Sequence, residues 1–531
     1  MQDSNQGRGS APPGPACARV GAALPFWQNN SGAAATSERE VPVSAHLTPA
    51  QIKSRLDHPI IDADGHWIEY GPVFTEQLRK IGGEAAVRGW SAVGGGTRGV
   101  LAMSVEERRR RRISQEAFWA HPAKNTRDFA TAVFPRLLYE RLDEIGLDFA
   151  IIYPTGGLRV PRVGDGEARR AACRAYNIVT AEYFRPFADR MTPAAIIPMH
   201  TPEEAIEEIE YAVKQLGYKV AMLGSLMDRP VEACGKVEGE AARFAVWHDV
   251  IGLDSEHDYD PVWAKCLELG IAPSFHSGHR RAGLRSSPSN FTYNHIGHFA
   301  AANHAACKAM FLGGVTRRFP GLNISFLEGG SGWACMLYGD LLSHWEKRSL
   351  EGLEEVDPRN LDRAVLADLA GKYGGEAFVA ALRERDGWPY PGDDKLTGGV
   401  ADLDDYSACK ITRKEDWRDL FVTPFYFGCE ADDPSNVWAF NSRANPLGAR
   451  LNAIFSSDIG HFDVPDMTGV LPEAYEMVEK ELATSDNFRD FTFANVVRLF
   501  GRVNPRFFEG TRVATAAATV LGQAPERAAA E

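Results

Sequence analysis

The run Ile60-Ile61-Asp62-Ala63-Asp64-Gly65-His66 decides how the rest of the chain is read. It opens as a short β-branched apolar segment and closes on carboxylate and imidazole groups; in an extended strand Asp62, Asp64 and His66 face one way. In a (β/α)8 barrel enzyme the reacting groups sit at the C-terminal ends of the strands, where these polar residues fall. Seven further runs of this kind follow, at 149–154, 191–199, 219–223, 271–276, 323–328, 425–429 and 452–458. Helical patterns lie between most of them, at 167–187, 202–216, 261–269, 295–312 and 332–347, with one more at 473–482 after the last. Strand and helix in alternation predict a parallel sheet of βα units, and eight strands favour a distorted (β/α)8 TIM barrel over an open doubly wound sheet.

Three connections are too long to be simple loops and read as helical insertions, at about 80–134, 227–259 and 349–422. The first holds Glu106-Glu107 followed by five arginines, 108 to 112, which in an acidic chain reads as a solvated helix face or an intersubunit ion-pair segment. The third has a helical pattern over 361–383, as for a small lid or interface piece. Residues 46–515 are expected to form the barrel, with a flexible Gly/Ala/Ser/Pro-rich leader over 1–45 and a flexible tail over 516–531.

A net charge of −13 excludes a generic nucleic-acid binder, and 44% hydrophobic with 24% charged residues is the make-up of a globular protein. The eight cysteines are scattered, with neither a disulfide framework nor a zinc-finger spacing, and read as buried reduced thiols. No run reaches the roughly 20 apolar residues of a membrane span. A cytoplasmic enzyme acting on a small molecule is expected, without nucleic-acid or membrane partners. The large insertions suggest a homodimer.

Four strand ends present groups able to do chemistry. Besides Asp64 and His66, they are Ser274-Phe275-His276-Ser277-Gly278-His279, Phe326-Leu327-Glu328-Gly329-Gly330 and Ser456-Ser457-Asp458. Asp-x-His, a His and an Asp converging on one pore supply nitrogen and oxygen ligands for a single divalent ion of the Zn, Mn or Fe type. Arg280 and Arg281 follow the fifth strand and could hold a substrate carboxylate. Glu430, at the end of the seventh, and His461, three residues past Asp458, are placed to orient a ligand from behind. His295 and His298 share a helix face that could line the mouth.

Asp64-Gly65-His66, His276, the run Leu327-Glu328-Gly329-Gly330-Ser331-Gly332-Trp333, Ser456-Ser457-Asp458 and the C-terminal Asn504-Pro505-Arg506-Phe507-Phe508 together resemble the amidohydrolase-related family. This group includes aminocarboxymuconate-semialdehyde and γ-resorcylate-type decarboxylases, and the resemblance spans about 58–510. It implies one metal ion, zinc before manganese or iron, on Asp64, His66, His276 and Asp458. It also marks a departure: the decarboxylases have a catalytic His where this chain has Glu328. A carboxylate acts as an acid near neutral pH only if its pKa is raised, so Glu328 is a candidate proton shuttle, additional metal ligand or hydrogen-bond anchor, and His279 is the candidate for the missing imidazole. The expected activity is metal-dependent hydrolysis of an amide, lactone or C–C bond, with Asp458 as the base. The alternatives are non-oxidative decarboxylation of an aromatic or unsaturated acid, and a barrel without activity used for binding.

Overall fold

Every residue of Ile61–Trp67 and of Phe149–Pro154 is buried. Strands covered on both faces belong to a sheet with helices outside and packed side chains within. These are β1 and β2 of an eight-stranded parallel sheet that continues through β3 (Met191–Ile196), β4 (Val220–Leu223), β5 (Pro273–Phe275), β6 (Ile324–Phe326), β7 (Phe425–Glu430) and β8 (Asn452–Ser456), each bonded to the next. The structure, a computed structural model, describes residues 47–116, 123–276, 285–389 and 403–523. Its eight strands and surrounding helices are those of a (β/α)8 barrel.

The ring is nearly closed where β8 meets β1. Past the end of β8, the Asp458 N–H donates to the Asp64 carbonyl at 3.1 Å and the His66 N–H to the Ile459 carbonyl at 2.9 Å. The segments that close the barrel thus carry three of the four expected metal ligands, Asp64, His66 and Asp458.

By sequence the fifth, sixth and eighth strands run on to His276, Glu328 and Asp458, whereas in the structure they end one or two residues earlier. Glu328 (φ 56°) and Asp458 (φ 51°) lie in the left-handed region, which an extended strand cannot enter. The helix expected over 295–312 is likewise two pieces, Phe291–His295 and His298–Leu312.

The first insertion is a further layer on the barrel. Helix Gly71–Ala102, kinked at Gly83, runs along Gly166–Phe184. Gly89 makes this approach possible, because a Cβ there would stand 2.4 Å from the Ala168 carbonyl oxygen. The arginine run falls on helix Val105–Arg111, and its first member corrects the expectation of a solvated face. Arg108 is buried and donates to the carbonyls of Val100, Met103 and Pro288, while Arg111 pairs with Glu107 at 3.1 Å.

In the second insertion, Met227–Pro230 and Val246–Asp249 form an antiparallel hairpin. Arg229 pins it by bonding Asp249, the Tyr259 hydroxyl and the His200 carbonyl. The third holds helices Arg363–Tyr373 and Gly375–Glu384 in place of one continuous stretch. Among the described residues no helix is long and apolar enough to cross a membrane, and the described cysteines are free thiols, mostly buried although Cys234 is exposed.

Candidate metal centre

The centre begins with a flaw in β1. Its register against β2 slips between Asp62 and Gly65, so that β1 holds one residue more than its partner. The Asp62 carboxylate accepts from the Ser457 N–H (2.9 Å), the Ser457 hydroxyl (2.5 Å) and the Asp64 N–H (3.1 Å). Burial raises its pKa to about 6 against the pull of these donors. Asp62 therefore ties β1 to β8 and is not equivalent to Asp64, as simple alternation had suggested. Gly65 is required here, since a Cβ would stand 2.6 Å from Asp62 Oδ2.

Asp64, His66, His276 and Asp458 are all buried and meet at the C-terminal mouth of the barrel. His66 Nδ1 lies 3.0 Å from the Pro154 carbonyl, which only accepts, so Nδ1 carries the proton and Nε2 presents a lone pair. That Nε2 is 3.2 Å from His276 Nε2, 3.4 Å from Asp64 Oδ1 and 3.5 Å from Asp458 Oδ1. His276 Nε2 is 3.3 Å from the same Asp64 oxygen and 3.6 Å from Glu328 Oε2. Ligands about 2.1 Å from a tetrahedral ion stand about 3.4 Å apart. No oxygen of Asp64 or Asp458 has an aligned hydrogen bond among the described residues, a costly state for a buried carboxylate unless a cation offsets it. The donor set fits a divalent ion of the Zn, Mn or Fe type.

The two carboxylates respond in opposite ways to this setting. Burial pushes Asp64 up, but the His276 and His66 imidazoles beside it outweigh burial and hold it at about 2. Asp458 is raised well above the carboxylate range, first by burial and then by the negative charges of Glu328, Asp463, Glu430 and Asp64. Asp458 and Glu328 both sit at positive φ on non-glycine residues, which costs of order 1–3 kcal/mol each and is typical of functional sites.

The sequence profile of the family described as amidohydrolase matches residues 61–376. The chain belongs to the amidohydrolase family. No curated protein sequence matches it. Solved structures of similar course include 2,6-dihydroxybenzoate decarboxylase from Rhizobium, with 14% identity, 83% of this chain and 98% of that one covered, and a TM-score of 0.44. Another is an amidohydrolase from Mycobacterium avium subsp. paratuberculosis K-10, at 17% identity, 84% and 100% coverage and a TM-score of 0.46. A third is dihydroxybenzoic acid decarboxylase from Polaromonas sp. JS666 with bound manganese and 2-nitroresorcinol, at 15% identity, 85% and 99% coverage and a TM-score of 0.46.

Beside Glu328 stand the His276 imidazole, 3.6 Å from Oε2, and that of His461, 4.0 Å from Oε1. His461 also lies 2.7 Å from Asp458 Oδ1, stacks on His66 with ring centroids 4.0 Å apart, and reaches Thr155 Oγ1 at 3.3 Å. His279, Arg280 and Arg281 fall outside the described residues. Glu430 ends β7, and burial followed by Asp463, Asp432, Asp433 and Asp64 raises its pKa to about 8. His295 and His298 contact each other at 3.1 Å, and the His298 ring lies tilted against Phe299, whose ring meets that of His276 edge-on.

Sequence patterning missed the polar floor of the site. Tyr153 donates to Ser274 Oγ at 2.8 Å, and Ser274 contacts Ser325 Oγ at 2.8 Å, beneath the two imidazoles. The signal was a serine between apolar residues in two adjacent strands, Pro273-Ser274-Phe275 and Ile324-Ser325-Phe326.

Proposed function

We propose that the chain is a metal-dependent hydrolase of a small organic molecule, its ion held by Asp64, His66, His276 and Asp458. One observation carries this reading: His66 Nε2 lies 3.2–3.5 Å from His276 Nε2 and from an oxygen each of the buried Asp64 and Asp458, and among the described residues no oxygen of either carboxylate has an aligned hydrogen bond. When bound, a divalent ion supplies Lewis acidity and a water of lowered pKa.

The side chains then divide the work. The Pro154 carbonyl fixes the tautomer of His66 and so keeps its Nε2 free to coordinate. Asp458 takes a proton from the attacking water and later passes it to the leaving group. His461, against Asp458 and stacked on His66, orients the base and excludes bulk water from that side. The strongest charges acting on Asp458 are negative, which favours a neutral substrate with an amide, lactone or activated C–C bond over an anionic acid.

A second reading, non-oxidative decarboxylation of an aromatic or unsaturated acid, draws support from Glu430. A carboxyl group with a pKa near 8 keeps its proton at neutral pH and can act as an acid toward carbon. Turnover of candidate substrates in 18O-labelled water separates the two readings. Label in the product without carbon dioxide release is the expected result; carbon dioxide release with an unlabelled product replaces hydrolysis with decarboxylation.

A further inference from the structure

The two helices of the third insertion bury one residue each: Arg363–Tyr373 buries Ala370, and Gly375–Glu384 buries Leu382. The rest of both is half-buried or exposed. We infer that this helical hairpin is the surface on which two copies of the chain associate, through a two-fold contact centred on Leu369.

Three observations carry it. The first is an open apolar row. Val365, Leu369 and Tyr373 recur at every fourth position and so lie on one side of their helix, where they are 54%, 45% and 84% exposed. Phe378 of the second helix, 47% exposed, extends the row: a Cβ at Gly374, the residue after Tyr373, would stand 3.1 Å from its ring. An aromatic side chain has about 150–250 Å² to bury, so these four side chains and their two-fold copies bring together about the 1,000 Å² that a specific interface needs.

The second is helix stability. Helices shorter than about 12 residues are marginal in water unless an apolar face packs against something, and these have 11 and 10 residues. The hairpin of a second copy supplies that packing and completes a bundle of four helices, in which rows of side chains at every fourth position interlock.

The third is charge. At −13 overall, two copies of the chain repel on approach, yet 362–386 sets five acidic residues against four basic ones. Arg363 contacts Asp386 at 3.4 Å and lies over the Trp388 ring, and Lys372 contacts Asp368 at 2.9 Å. Asp368 and Lys372, one turn apart, form the row beside the apolar one. A two-fold axis at Leu369 reverses that row in the copy and sets acid against base across the contact.

The test is sedimentation equilibrium of the full chain. Wild type is expected at the mass of an even number of chains, and Leu369→Asp and Tyr373→Asp at half that mass. Tyr373 stands almost free of its own chain, so its replacement leaves the fold intact. Asp368→Lys and Lys372→Asp each set like charges across the contact and are expected to self-associate about tenfold more weakly, whereas an equimolar mixture of the two recovers wild-type association. A wild type that is monomeric or has an odd number of chains, or the wild-type mass retained by Leu369→Asp or Tyr373→Asp, overturns the interface. A mixture no tighter than its separate components overturns the two-fold pairing at Leu369.

Discussion

Asp62 and Asp64 are two residues apart in the same strand and do different jobs. Their sequence environments are alike, so alternation could not separate them; an extra residue in β1 and the hydroxyl of Ser457, nearly four hundred positions away, could. Asp64, His66, His276, Glu328 and Asp458 were legible because each ends an apolar run, a property of adjacent residues. Ser457 was not, because its role depends on a partner in another strand. Removing its hydroxyl leaves the buried Asp62 carboxylate with two backbone donors only. Ser457→Ala is therefore expected to lower unfolding free energy by about 1–3 kcal/mol, the usual cost of an under-satisfied buried acceptor. A urea midpoint equal to that of wild type would show that Asp62 does not depend on this bond.

Among the elements, the strands were read closely and the insertions loosely. The eight barrel strands announce themselves by apolar runs, whereas helix Gly71–Ala102 is rich in glycine and alanine and carries a weak amphipathic pattern, so that its first part was left outside the insertion. Those small residues are what let it lie close against Gly166–Phe184. At Gly89 an added methyl meets the Ala168 carbonyl oxygen at 2.4 Å and the Ala172 Cβ at 2.8 Å, both in the facing helix. Overpacking of this kind costs about 1–3 kcal/mol and outweighs the better helix propensity of alanine, worth about 1 kcal/mol. Gly89→Ala is expected to lower the thermal midpoint; a rise would mean that the two helices can separate without loss.

At the scale of the molecule, the barrel could be inferred from strand count, but its seam could not. The bonds from Asp458 to Asp64 and from His66 to Ile459 join the two ends of the sheet and gather three proposed ligands at once, so closing the barrel and building the site are one event. Global stability also carries a pH signature from outside the site. Burial, assisted by the nearby Arg169, lowers His200 from its ordinary 6.5 to about 4, so the unfolded chain binds a proton there more readily than the folded one. Stability from this group is complete above pH 6.5 and declines as pH falls toward 4. His200→Gln is expected to flatten that part of the curve of urea midpoint against pH; an unchanged curve assigns the acid sensitivity to other groups. The central claim is that Asp64, His66, His276 and Asp458 hold a catalytic divalent ion, and elemental analysis with activity measured before and after chelation tests it most directly. The account expects a Zn, Mn or Fe ion to purify with wild type, turnover to vanish on chelation and return with the ion, and His276→Ala to lose the metal and the turnover together. A protein that holds no ion, takes none up and still turns over its substrate would contradict it.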